Sequence, residues 1–143
     1  SITVMMQKEA AERMRALPGT KAYGALSVAV QYYCEAENVV TVPASCFVPQ
    51  PKVTSAVVRM DRRAAPPASV DDEKLFFRTV RAAFAQRRKT LSNALRSAFS
   101  ELDRAAIESA MEETGLPPAV RGETLSIAQF AALSNALLRK FDK

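Results

Sequence analysis

Residues 61–72 read DRRAAPPASVDD, and the hydrophobic pattern differs on their two sides. Two prolines, small residues and charges leave the stretch without an apolar face, so it reads as a linker. Before it, short alternating or β-branched runs stand among helical ones. After it, the apolar residues recur at three-, four- and seven-residue steps. A chain divided in this way is neither a single helical bundle nor a single sheet. The expected fold class is α/β followed by all-α. Residues 1–62 form the first part, 63–72 the linker and 73–143 a helical domain. Each part is close to the lower size limit for a self-sufficient core.

Ile2, Val4 and Met6 alternate with Thr3 and Met5, which predicts a buried strand at the start of the chain. Residues 8–16 (KEAAERMRA) are good helix formers, stopped by Pro18 and Gly19. Residues 22–34 (AYGALSVAVQYYC) have helical length. Residues 38–42 (NVVTV) read as a short strand ending at Pro43. Residues 43–52 (PASCFVPQPK) hold three prolines and predict a stiff, extended loop. Residues 53–60 (VTSAVVRM) predict a strand antiparallel to the one before the loop. About three strands with helices, and no phosphate-binding turn, look like the trailing portion of an α/β sheet. A strand at 2–6 without its neighbours would expose an edge, so self-association through it is expected.

Beyond the linker, Phe76, Val80, Ala83, Phe84, Leu91, Leu95 and Phe99 mark one face of a helix, or of two helices broken at the polar Gln86–Lys89. Asp71 and Asp72 are both placed to cap its start. Residues 104–114 predict the next helix, with Asp103 as N-cap and Gly115 past its end. Ser126 and Gln129 form a capping box for the last helix. Its buried face is marked by Ile127, Phe130, Leu133, Leu137 and Phe141.

Several kinds of chemistry have no residues to carry them. The chain has no His, which removes the commonest general base and the commonest metal ligand. Cys34 and Cys46 are too few for a four-cysteine zinc site or a disulfide framework. They read as buried small hydrophobes in a reducing cytoplasm. No G-x-G-x-x-G or P-loop cradles a nucleotide, and no His/Cys/Asp cluster has metal spacing. The longest apolar runs are only a few residues, which excludes a transmembrane helix. Tyr23, Tyr32 and Tyr33 read as core and half-core residues. Glu9 and Glu12, among Lys8 and Arg13, read as surface ion pairs.

The net charge of +5 is unevenly spread. Residues 78–96 hold six basic side chains and no acidic one, which is the footprint of nucleic-acid binding. Within it, Arg87, Arg88 and Lys89 follow Phe84 and Gln86, with Arg78 and Arg81 earlier on the helix. They either bind phosphates or form a solvated helix face. The loop from Phe47 to Lys52 is the other unusual segment. Its prolines either hold Phe47 as a stacking platform for a base, or shape a turn around a core residue.

Five stretches together resemble the bacterial small-subunit (16S) rRNA adenine dimethyltransferases. They are Met6-Gln7-Lys8-Glu9; Lys21 to Ser27 running into Gln31-Tyr32-Tyr33-Cys34; Phe47 to Lys52 with Val53 and Ser55 to Arg59; Phe84 to Leu91 with Asn93; and Arg121-Gly122-Glu123-Thr124-Leu125-Ser126. The resemblance implies an S-adenosylmethionine-binding α/β domain of Rossmann-like type, followed by a small helical domain. This chain would be the last part of the first and all of the second. The activity implied is dimethylation at N6 of two adjacent adenines of small-subunit rRNA during ribosome maturation, without a metal.

By the same resemblance, Phe47 stacks on the flipped adenine and Pro49 and Pro51 hold it. Arg81, Arg87, Arg88 and Lys89 bind rRNA backbone and dock on the immature small subunit, with Lys52 and Arg59 as further candidates. The family's glycine-rich cofactor loop and its Asn-Leu-Pro-Tyr type motif are absent, and both would lie before Ser1. The chain by itself is therefore expected to be inactive and to bind no cofactor. Two related readings stand beside this one: the large-subunit rRNA adenine methyltransferases, and a non-catalytic RNA-binding or ribosome-assembly module. A helical interaction domain with a solvated basic face is the blandest alternative.

Overall fold

Helix formers, caps and β-branched runs set the order of elements in the computed structural model, which describes residues 1–141. The elements are β1 (Ile2–Gln7), α1 (Lys8–Arg15), α2 (Ala25–Tyr33), β2 (Cys34–Val42), β3 (Ser55–Arg62), α3 (Glu73–Ala85), α4 (Leu91–Ala98), α5 (Arg104–Glu113) and α6 (Ile127–Phe141). Single 3-10 turns lie at Ala44–Cys46 and Gly122–Thr124. The residues gather into two units. One comprises Ser1–Leu17 with Lys21–Pro66, the other Pro18–Thr20 with the residues from Pro67 on.

In the first unit the sheet order is β1-β3-β2, with both pairings antiparallel. β1 and β2 therefore run in the same direction on either side of β3. Ala11 of α1 packs on Ala56 and Val58 of β3, with Met6, Ala36 and Met60 half-buried around them. This core is small. On the opposite face Met5, Val57 and Val40 fall in register across the three strands, and Met5 and Val40 are 53% and 50% exposed.

Three expectations for this unit need correction. β1 is a strand but not a buried one: Ile2 is 60% exposed and only Met6 is half-buried. It is an edge strand, and the small core beneath α1 takes in Met6 alone from it. β2 starts at Cys34 rather than at residue 38, at the expense of the preceding helix. Cys-Glu-Ala-Glu has weak strand propensity, and pairing with β3 overrides it; the register sets Glu37 opposite Arg59. A bulge between Asn38 and Val40 accommodates Val39. β3 runs from Ser55 to Arg62 rather than over 53–60, and the Arg63 N–H then donates to the Tyr33 carbonyl at 2.8 Å.

The second unit is helical, and its caps lie where the sequence puts them. Asp72 accepts from the Leu75 N–H at 3.0 Å, and Asp103 accepts from the Ala106 N–H at 2.8 Å. The Gln129 N–H donates to Ser126 Oγ at 3.2 Å while the Ser126 N–H donates to Gln129 Oε1 at 2.8 Å. Each such cap is worth about 0.5–2 kcal/mol. The polar break at residues 86–90 separates α3 from α4. Phe76, Leu91, Leu95, Phe99, Ile107, Phe130, Leu133 and Leu137 are completely buried and form the core. Phe141 is a correction: it is 36% exposed, with its ring 6.2 Å from that of Phe99. Asn135 holds the segment leading into α3, donating to the Ser69 carbonyl and accepting from the Asp71 N–H, each at 3.0 Å. Gly122 is buried so closely against α3 that a Cβ there would lie 2.7 Å from Ala83 Cβ.

Candidate nucleic-acid interface

The loop carrying Phe47 follows the carboxyl end of β2. In register, Gln7 and Val42, the last residues of β1 and β2, both lie opposite Ser55. The loop thus emerges at the edge of the sheet where two strands of common direction end. In α/β sheets that edge is where ligands bind. The Lys8 N–H donates to the Thr54 carbonyl at 2.9 Å and ties the end of the loop to the start of α1.

Within the loop the expected extended course is interrupted by the 3-10 turn. The Cys46 N–H donates to the Pro43 carbonyl at 3.0 Å and the Phe47 N–H to the Ala44 carbonyl at 3.2 Å. Phe47 is thereby fixed at its backbone and left half-buried, outside the buried core. Val48 beside it is completely exposed, and the Val48–Pro49 peptide is cis. Pro49 and Lys52 are exposed and Pro51 is half-buried. The two cysteines are not buried as expected: Cys46 is exposed and Cys34 half-buried, because the turn and the start of β2 lie at the surface.

The cations fall into two groups. Arg78 is committed to its own unit. It donates to both carboxylate oxygens of Glu101 at 2.8 Å and to the Ala98 carbonyl at 3.0 Å, and lies 4.2 Å over the Phe99 ring. Its hydrogen bonds hold the Glu101 carboxyl down at about 2. Arg59, on β3, pairs with Asp61 at 3.1 Å, and hydrogen bonds from Ser1 and Arg59 keep that carboxyl below its ordinary value. Arg81, Arg88 and Lys89 are exposed and make no ion pair among the described residues. Arg87 is exposed and lies 5.7 Å over the Phe84 ring, which packs at 5.9 Å on buried Phe130. The turn bearing residues 87–89 is closed by the Lys89 N–H donating to the Gln86 carbonyl at 3.0 Å, and Thr90 caps α4 behind it.

Phe47, Pro49, Pro51 and Lys52 thus share one loop of the first unit. Arg81, Arg87, Arg88 and Lys89 share the second unit. One cation escaped the sequence reading as a site residue. Arg96 lines a cleft of about 340 Å³ with Lys89, Asn93 and Ser97. Asn93 and Arg96 lie three residues apart on α4, just after the turn that carries Lys89, and that spacing was the available signal.

The stretch from Lys21 to Gln31 does structural work. Ser27 Oγ donates to the Arg13 carbonyl and accepts from the Gly24 N–H at 3.1 Å. The Gln31 amide donates to the Met14 and Ala16 carbonyls at 3.1 and 2.8 Å. Side chains of α2 therefore satisfy the carboxyl end of α1. Among the described residues, no three His, Cys, Asp or Glu side chains cluster as metal ligands, and no helix is long and apolar enough to cross a membrane.

A family model described as ribosomal RNA adenine dimethylase matches residues 1–138. The chain belongs to the ribosomal RNA adenine dimethylase family. It is 54% identical over 142 residues to a ribosomal RNA small subunit methyltransferase A from Geobacillus thermodenitrificans, covering 98% of this chain and 48% of that protein. The counterpart of the same name from Bacillus cytotoxicus is 55% identical over 137 residues, covering 94% and 47%. The chain spans about half the length of these dimethylase relatives. The family fold is also seen in a dimethyladenosine transferase from Plasmodium falciparum, with a TM-score of 0.74 at 23% identity over 97% of this chain and 57% of that one. The 23S rRNA methyltransferase ErmE gives a TM-score of 0.62 at 25% identity, covering 94% and 53%.

Of the four glycines, Gly19 follows α1, Gly24 caps the start of α2, Gly115 follows α5 and Gly122 lies in a 3-10 turn. None stands between a strand and the helix after it, where a cofactor loop would lie.

Proposed function

We propose that this chain is the part of a small-subunit rRNA adenine N6-dimethyltransferase that holds the target adenine and grips the RNA. The whole enzyme would move methyl groups from S-adenosylmethionine to N6 of two adjacent adenines during maturation of the small subunit. Residues 1–62 supply the trailing portion of the methyltransferase domain and residues 73–143 the rRNA-binding helical domain. The observation that carries this reading is the family match over residues 1–138, together with the place of the Phe47 loop where β1 and β2 end. The relatives at 54–55% identity are named as small-subunit methyltransferases, which favours small-subunit rRNA as the substrate.

In this reading Phe47 stacks on the extruded adenine, with Pro49 and Pro51 restricting the loop around it. Extraction of a base costs a few kcal/mol of stacking, which a fixed aromatic partly returns. Arg81, Arg87, Arg88 and Lys89 bind backbone phosphates, and Lys52 extends that contact from the loop. Arg59, paired with Asp61, is the weakest of the candidates. The lack of a glycine cradle favours a second reading for the chain taken alone: a non-catalytic RNA-binding module. Fusing the chain behind the amino-terminal half of the Geobacillus relative separates the two. Dimethyladenine formed in small-subunit rRNA by the fusion, and not by the chain alone, supports the first reading. RNA binding without methylation by the fusion refutes it.

β1 pairs only with β3 among the described residues, and its other edge is open. With the apolar row Met5, Val57 and Val40 beside it, self-association of the isolated chain is part of the proposal. A monomer across the micromolar range by sedimentation would contradict it.

A further inference from the structure

Along α3, Leu75, Phe76, Thr79, Val80, Ala82 and Ala83 are buried. The opposite stripe carries Lys74, Phe77, Arg78 and Arg81, at helical steps of three, one and three. With Glu73 these residues line a shallow, open cleft of about 450 Å³. Phe77 is half-buried, and its ring stacks on that of fully buried Phe76 at 5.0 Å and 21°. The core thus fixes the plane of the Phe77 ring. Arg78 is neutralised by Glu101. Lys74 and Arg81, on either side of Phe77, are exposed and make no ion pair among the described residues.

We propose that this cleft receives one unpaired nucleotide of an RNA, its base against Phe77 and the flanking phosphates at Lys74 and Arg81. An aromatic ring of fixed plane between two exposed cations suits a ligand that is flat and apolar at its centre and anionic on both sides. A duplex, with its bases stacked inward, offers no such group to the ring. The inference rests on RNA binding by the second unit and adds to it a contact specific to single strands. Glu73 is the one acidic group at the cleft, and it sets a limit on how closely a phosphate approaches that end.

The test is a titration of the chain with a fluorescein-labelled single-stranded RNA and with the same sequence as a duplex. Phe77→Leu keeps apolar bulk and removes the ring; it should weaken single-strand binding about tenfold and leave duplex binding unchanged. Phe77→Tyr should restore the parent affinity. Equal single-strand binding by Phe77→Leu, or an equal loss on both RNAs, overturns the proposal. The triple exchange R87A/R88A/K89A is run alongside: if it weakens both RNAs while Phe77→Leu weakens neither, the cleft fails and general RNA binding stands. If the parent binds neither RNA, both fail. Should Phe77→Leu melt early, the double exchange Lys74→Gln with Arg81→Gln decides. It must weaken single-strand binding more than duplex binding, and no such difference is equally fatal.

Discussion

Gln31 of α2 donates its side-chain amide to the carbonyl oxygen of Ala16 at 2.8 Å, just past the end of α1. The same amide reaches the Met14 carbonyl, and Ser27 one turn earlier reaches that of Arg13. The last carbonyls of a helix lack partners within it, so two side chains of the next helix finish the first. Arg63 in turn donates to the Gln31 carbonyl at 2.8 Å and so joins the end of β3 to this junction. Gln31→Leu should destabilise the chain by about 1–3 kcal/mol, the cost of leaving partly buried carbonyls unpaired. Urea unfolding followed by circular dichroism measures this.

Gly122 gives a second stability prediction. A Cβ at this position meets Ala83 Cβ at 2.7 Å and the Ala83 carbonyl oxygen at 3.2 Å, and neither atom belongs to a flexible side chain. Gly122→Ala should therefore cost about 1–3 kcal/mol by overpacking. Adding Ala83→Gly should recover part of that loss in a double-mutant cycle. Strict additivity of the two exchanges would show that the contact is not the cause.

Glu101 makes the stability of the helical unit depend on acid. Its hydrogen bonds from Arg78 lower its pKa from 4.5 to about 2. A carboxylate with a depressed folded-state pKa contributes stability that is present above its unfolded value and is lost as pH falls through the folded one. The melting temperature should thus fall between pH 4.5 and about 2. Glu101→Gln should melt lower than the parent at neutral pH, with the difference narrowing across that window. A difference independent of pH would remove the Arg78 pair as its source.

The exposed cations should announce themselves in salt. Each phosphate contact contributes about 0.7–0.9 to the slope of log affinity against log salt. R87A/R88A/K89A should bind small-subunit rRNA more weakly, with a slope lower by about 2. A parallel plot displaced without change of slope would mean that the cluster does not touch phosphate.

Legibility followed local chemistry. The caps Asp72, Asp103 and Ser126–Gln129 were readable because a cap is decided within four residues. The break at residues 86–90 was readable as a run too polar to bury. The start of β2 was not: Cys34 to Glu37 has only weak strand propensity of its own and is held as a strand by its pairing with β3. The burial of β1 was misread for the same reason, since alternation tells which residues share a face but not whether anything covers it. At the candidate site, the run of cations with no acidic residue beside it in sequence stood out as charge, but the commitment of Arg78 to Glu101 spans 23 residues and leaves no local mark. Phe77 was passed over because its neighbour Phe76 carries the helical period of the core, and the residue after it reads as surface.

The central claim is that Phe47 holds the adenine during methyl transfer. The most direct measurement is the single-turnover rate of adenine methylation by the fusion with the Geobacillus amino-terminal half, compared for Phe47, Phe47→Tyr and Phe47→Ala. Loss of one stacking contact of about 1–3 kcal/mol predicts a rate lower by about 5- to 150-fold for Phe47→Ala, with Phe47→Tyr close to the parent. A Phe47→Ala enzyme as fast as the parent would contradict the assignment.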